Sequence, residues 1–202
     1  MENLKYQDGK QEILDQRMLP NEAKWLPIDS KEAAFEAIQT LAVRGAPAIG
    51  IFAAFSMALF GKDDPAACKA YLDSARPTAV NLSWATARLA KVMENGGDPV
   101  AEALAVQAED IEMCRKISAY GLSLLRDGDG LLTHCNAGPL ATSRYGTAQG
   151  PFLLAAERGI HIKVFADETR PLLQGARLTS YELQRAWVDV TLSCHNIAAM
   201  RI

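Results

Sequence analysis

The chain has 202 residues, 49% of them hydrophobic and 22% charged, with a formal net charge of -3. This is the profile of a soluble globular protein large enough to bury a core, and it offers no electrostatic case for binding nucleic acid or an anionic membrane. No apolar run approaches a membrane span, since the longest, Ala46 to Phe60, is interrupted by Pro47, Gly50 and Ser56.

The opening segment MENLKYQDGK lacks the apolar core of a signal peptide. Within 4-LKYQDGKQEILD-15, two short strands are expected around Asp8-Gly9, a favoured hairpin turn. Asp29 or Ser30 then suits the cap of a helix to about Thr40, with Phe35, Ile38 and Leu41 on one side. A loop, 43-VRGAPAIG-50, leads into a helix from Ala48 to about Phe60. Pro47 fits its first turn, and its apolar surface all round predicts burial. A second loop-to-helix junction is 75-ARPTAVNLSWATARLAKV-92, and Asp98-Pro99 opens a third long helix to about Arg126. Residues 1–126 thus read as a mainly helical domain with a small N-terminal sheet.

At Gly128-Asp129-Gly130 the pattern changes. A strand at Leu131–His134, a helix at Thr142–Arg158, a strand at His161–Ala166, a helix to about Ala186 and a strand at Val188–Ser193 follow in turn. Thr179 and Glu182 have the T-x-x-E spacing of a capping box and are expected to open the second of these helices. Strands alternating with helices imply a parallel sheet. The expected fold class is therefore α/β: a mainly helical N-terminal domain followed, over 127–202, by an incomplete Rossmann-like parallel sheet. Three strands are only half of a doubly wound sheet, and another helix starts at 195-HNIAAMRI-202, so the chain is expected to end before its fold does.

Ligands of an open parallel sheet bind beyond the carboxyl ends of its strands. Those ends carry Cys135-Asn136, Asp167-Glu168-Thr169-Arg170 and Cys194-His195-Asn196. Cys135 precedes a loop rich in small residues and then a helix, whose N-terminus can lower a thiol pKa. Position alone leaves it open between a reactive group and a small buried residue, with packing the commoner role. Arg44 and Arg76 stand at loop-to-helix junctions, where helix N-termini and guanidinium groups suit phosphate; surface arginines are commoner, so each alone is weak. Gln174 and Arg177 are placed to serve the same ligand. The glycines after the first strand, Gly138, Gly146 and Gly150, do not fit G-x-G-x-x-G, which removes the dinucleotide reading of Asp167. His134 alternates with Cys135 along the strand and is expected on the opposite face. The cysteines at 68, 114, 135 and 194 form no CxxC and no zinc spacing, so reduced thiols in the cytoplasm are expected.

Six motifs, VRGAPAIG, RPTAVNLSWA, THCNAG, RYGTA, DETRPLLQGARLT and ELQRA, occur in order between about Leu14 and Ala199. Together they resemble the methylthioribose-1-phosphate isomerase family. That family shares its fold with the regulatory subunits of a translation-initiation guanine-exchange factor and with archaeal ribose-1,5-bisphosphate isomerases. The resemblance implies an aldose–ketose isomerase of methionine salvage, a homodimer acting on a sugar phosphate with no metal and no other cofactor. It assigns catalysis to Cys135 and substrate or phosphate binding to Arg44, Gly45, Ala46, Arg76 and Gln174. It also implies an aspartate in a later G-A-D-R-like motif and an Asn-Lys pair, both of which would follow residue 202. His195 stands where the family usually has the aspartate of D-N-M-A.

Overall fold

Asp8 and Gly9 take the left-handed conformation that these two residue types tolerate (φ 52° and 73°). They fold β1 (Leu4–Gln7) back on β2 (Lys10–Leu14), and β3 (Trp25–Ile28) completes an antiparallel sheet in the order β1-β2-β3. Pro27 argues against a strand in the sequence; here β3 is an edge, where a missing N–H donor is tolerated. The computed structural model describes residues 1–200.

Five helices follow. Ser30 Oγ accepts the Ala33 N–H at 3.1 Å and starts α1 (Lys31–Gln39). The next, α2 (Ala46–Phe60), is apolar on every side and is buried continuously from Ala48 to Ala58, as its composition predicts. Asp64 Oδ1 accepts the Ala67 N–H at 2.9 Å and caps α3 (Pro65–Ser74), a helix absent from the sequence expectation. Then come α4 (Val80–Glu94) and α5 (Pro99–Leu122), the latter opened by Asp98, whose Oδ1 accepts the Val100 N–H at 2.8 Å. One apolar cluster runs through these elements, with Phe52, Phe55, Ile38, Leu72, Leu82 and Leu89 all fully buried.

The parallel sheet is present as expected: β4 (Gly130–Thr133), β5 (Lys163–Asp167) and β6 (Asp189–Ser193), in that order and in register from Gly130↔Lys163 and Lys163↔Asp189. Between β4 and β5 the helix α6 (Gly150–Glu157) begins later than the sequence suggests. Tyr145 and Gly146 are both left-handed (φ 70° and 84°), which a right-handed helix from Thr142 cannot accommodate. Between β5 and β6, a turn of π-helix (Gly175–Thr179) runs directly into α7 (Ser180–Arg185). Thr179 is therefore inside a helix with right-handed φ and caps nothing, which corrects the capping-box expectation. After β6 the chain forms a 3-10 turn over His195–Met200.

The chain packs as two compact units. One comprises Glu2–Met18 and Glu22–Asp110; the other comprises Met1, Leu19–Asn21 and the chain from Ile111 onward. Leu19 lies with the sheet unit, where its carbonyl accepts Arg177 Nη1 at 3.0 Å. No helix among the described residues is long and apolar enough to cross a membrane.

Candidate active site

The helical unit places its two junction arginines at the starts of neighbouring helices. Gly45, left-handed at φ 93°, turns the chain into α2 directly after Arg44, with Ala46 and Pro47 as the first helical residues. Arg76 precedes α4 by one turn, its carbonyl accepting the Ala79 N–H at 2.9 Å. The two helices touch near these ends: a Cβ on Gly50 would lie 2.9 Å from the Asn81 carbonyl oxygen, so only glycine permits the approach. The starts of α1, α3 and α5 are each answered by a serine or aspartate side chain, whereas α2 and α4 have no side-chain cap. Two helix N-termini with their first N–H groups left uncapped, each preceded by a half-buried arginine, form an anion-seeking arrangement. Arg44, Gly45, Ala46 and Arg76 are thus brought to one end of one helix pair.

In the sheet unit the carboxyl ends of β4, β5 and β6 converge as the strand-end placement anticipated. Cys135 lies two residues past β4, half-buried, in the left-handed region at φ 62°. Two threonine hydroxyls hold its backbone. Its N–H donates to Thr169 Oγ1 at 2.8 Å, and its carbonyl accepts from Thr179 Oγ1 at 2.6 Å. Thr169, itself left-handed at φ 61°, donates its own hydroxyl to the Asp167 carbonyl at 3.0 Å. Thr179 also accepts from Gln149 Nε2 at 2.9 Å and Asn136 Nδ2 at 3.2 Å, which fills the one donor and two acceptor positions of a hydroxyl. Glu182, 3% exposed, accepts from Asn136 Nδ2 at 2.5 Å and from the Leu140 N–H at 2.6 Å. A Cβ on Gly138 would sit 2.6 Å from Gln149 Oε1 and collide with Glu182 Oε2, so this loop closes over the network only with glycine there.

Gln174 stands at the start of the π turn, and its Oε1 is buried without a hydrogen-bond partner. Asp167 Oδ1 and Ser193 Oγ, at paired positions ending β5 and β6, share that condition. Gln149 Oε1 is a fourth such atom; buried polar atoms are normally satisfied, so four open groups around the strand ends suit an incoming hydroxyl-rich ligand. The second Asp167 oxygen meets His134 Nδ1 at 3.2 Å. His134 thus turns toward the neighbouring strand end, 60% of its side chain exposed. Arg177 is not available to a ligand as the sequence suggested: its guanidinium donates to the carbonyls of Leu172 and Leu19. His195 accepts the Arg170 N–H at a long 3.4 Å. The helix expected from Thr142 begins only at Gly150, and the loop behind Cys135 instead holds a short 3-10 turn at Pro139–Ala141. Among the described residues no group of three or more His, Cys, Asp and Glu is arranged to hold a metal.

The model of the initiation factor 2 subunit family matches residues 42–202. The chain belongs to that family. It is 52% identical to a methylthioribose-1-phosphate isomerase of Symbiobacterium thermophilum over 93% of this chain and 58% of the relative. It is 49% identical to a 5-deoxyribose 1-phosphate isomerase of Petrotoga mobilis over 93% of this chain and 60% of that protein. Among solved structures, the 5-methylthioribose 1-phosphate isomerase from Pyrococcus horikoshii superposes with a TM-score of 0.90 at 34% identity, covering 98% of this chain and 61% of that one. The translation initiation factor eIF-2B, subunit delta, from A. fulgidus gives 0.86 at 38% identity, covering 99% and 64%. The chain therefore spans about three fifths of the length of the curated relatives it matches.

Proposed function

We propose that the chain is the part of an aldose–ketose isomerase that carries its thiol and its phosphate-binding helices. The substrate is a ribose 1-phosphate altered at carbon 5, with 5-methylthioribose 1-phosphate, an intermediate of methionine salvage, as first choice and 5-deoxyribose 1-phosphate as the alternative. Ribose 1,5-bisphosphate is a weaker candidate because the sequence shows no extra basic cluster for a second phosphate. The reading is carried by one observation: Cys135 is held half-buried and left-handed at the carboxyl end of a parallel strand. The isomerase names of the relatives support it.

In this reading the phosphate is recognised by Arg44, Gly45, Ala46 and Arg76, through guanidinium groups and the first N–H groups of α2 and α4. Gln174 holds a sugar hydroxyl. The blocked anomeric carbon requires the ring to open, after which hydrogen moves from carbon 2 to carbon 1, and Cys135 exchanges a proton in that transfer. We infer a cytoplasmic homodimer from the same resemblance. The likeness to eIF-2B subunit delta favours a second reading, a non-catalytic relative that senses a sugar phosphate or nucleotide.

Calorimetry with the three sugar phosphates, paired with an assay for ketose formation, tests both. Arg76→Ala is expected to weaken binding about 10- to 100-fold, the worth of a charged hydrogen bond. Because the resemblance places the partner aspartate after residue 202, these 202 residues alone are expected to show little or no turnover; in an enzyme that also carries that motif, Cys135→Ser is expected to leave binding in place and lower turnover by about 10²- to 10⁴-fold. Binding that is indifferent to Arg76→Ala removes the phosphate assignment, and turnover that survives Cys135→Ser removes the catalytic one. Turnover at normal rates by the 202 residues alone overturns the need for that aspartate, and nucleotide binding in place of sugar-phosphate binding favours the sensor.

A further inference from the structure

We propose that Thr179 and Thr169 are positioning residues for Cys135, setting the direction of its Cα–Cβ bond, and so the place from which its thiol acts, by clamping the two peptide groups on either side of its Cα. The inference rests on the reading of Cys135 as the proton-transferring group and adds residues that the motif comparison does not assign.

The sheet cannot hold Cys135, because the β4 ladder ends at Thr133. A residue with a Cβ pays about 1–2 kcal/mol to stay left-handed, so without other restraints the chain would relax toward the ordinary basins. Such a conformation persists when its surroundings over-determine it. Here the restraints are two hydroxyls from different elements: Thr169 just past β5, and Thr179 at the end of the π turn. Rotation about φ would swing the N–H off Thr169, and rotation about ψ would swing the carbonyl off Thr179. With both torsions pinned, the Cα–Cβ bond has one direction.

Thr179 is fixed in turn. It is fully buried, and Gln149 and Asn136 donate to it, with Asn136 steadied by Glu182. Thr179 ends the π turn, a feature frequent at functional sites. The Cys135 backbone is thus the terminus of a chain of hydrogen bonds reaching 46 residues along the sequence.

Valine keeps the shape of threonine and deletes the hydroxyl; serine keeps the hydroxyl and deletes the methyl. The experiment is native-state alkylation with iodoacetamide across a pH series, resolved by peptide mass spectrometry. Exposed Cys194 serves as the reference within the same molecule, and circular dichroism checks the fold. Thr179→Val and Thr169→Val are expected to change the Cys135-to-Cys194 rate ratio by about 10-fold, the factor for one lost hydrogen bond, and to move the midpoint of the Cys135 profile. Thr179→Ser and Thr169→Ser are expected to stay within about 2-fold of the unsubstituted protein. Valine variants that fold and leave both ratio and midpoint unchanged overturn the proposal, as do serine variants that fail as the valine ones do. If Thr179→Val does not fold, Thr169→Val and the two serine variants decide the matter by the same criteria. No sugar phosphate enters this readout, so failure of the isomerase reading and failure of the clamp are separately visible.

Discussion

The two units of this molecule solve the problem of burial in different proportions. In the helical unit the interior is mostly hydrocarbon: α2 is buried along nearly its whole length, its side chains pack into one apolar cluster, and the few buried polar groups such as Gln11, Ser56 and Thr86 bond to nearby backbone or to one another. Its non-glycine left-handed residues are a hairpin-turn aspartate and Leu41 after α1. In the sheet unit the apolar cluster is small, and the carboxyl edge of the sheet is filled with buried Asn136, Thr142, Gln149, Asp167, Thr179, Glu182 and Ser193. The left-handed residues Cys135, Tyr145, Thr169 and Leu173 cluster there as well. Hydrocarbon burial is non-directional and makes a unit stable without dictating the course of a loop. Hydrogen bonds are directional and fix one, at the cost of strain and desolvation. The difference assigns stability to the first unit and positional accuracy to the second.

The sharpest way to break that contrast is to cut each interior at its centre. Phe52 is fully buried, so Phe52→Ala is expected to cost about 3–5 kcal/mol through lost transfer energy and a cavity. Unit-resolved hydrogen exchange should show the loss in peptides of α2 and α4. Glu182→Ala removes the shared acceptor of the Asn136 amide and the Leu140 N–H, at about 2–3 kcal/mol if both lost bonds stay unreplaced. Its exchange signature should centre on residues 135–142. If Glu182→Ala is silent while Phe52→Ala unfolds the helical unit, the polar network is no more than packing; if their costs are reversed, stability does not reside where the contrast places it.

The same contrast explains which features were legible in the sequence. Apolar periodicity and caps are local signals, so α1, α2 and α5 and the parallel sheet could be read directly. Even so, α3 was missed although Asp64-Pro65 repeats the signal of Asp98-Pro99, and β3 was not anticipated. The carboxyl edge of the sheet was harder, because its hydrogen bonds join residues 30 to 46 positions apart. Placement brought Cys135, Arg44, Arg76 and Gln174 forward and the motifs added Gly45 and Ala46; Thr169 was named only as part of a strand end, and sequence reasoning missed Gln149 and Glu182 as parts of the site. The T-x-x-E spacing of Thr179 and Glu182 was a real signal read as the wrong object. Both side chains serve the loop after β4 rather than the start of a helix, which a one-dimensional pattern cannot distinguish.

A smaller effect sharpens the comparison at its margin, since the helical unit also buries a carboxylate and treats it differently from the sheet unit. Asp15 accepts from Arg17 three times, at the backbone N–H (3.0 Å), Nε (2.8 Å) and Nη2 (2.7 Å). Burial alone pushes its pKa up, but the Arg17 hydrogen bonds and the charges of Arg17 and Lys24 outweigh that and hold it below the ordinary aspartate value. A carboxyl whose folded pKa is depressed stabilises the fold fully above its unfolded pKa of about 4, and the contribution fades as pH falls through the lower folded value. Asp15→Asn is therefore expected to cost about 1 kcal/mol at neutral pH, a modest figure because the Arg17 side chain is 41% exposed and solvent screens the pair. In urea denaturation at a series of pH values, the gap between variant and parent should narrow below about pH 4. A gap that stays constant into acid would mean that the hydrogen bonds act through geometry alone, and the helical unit would then use its buried carboxylate as the sheet unit uses Glu182.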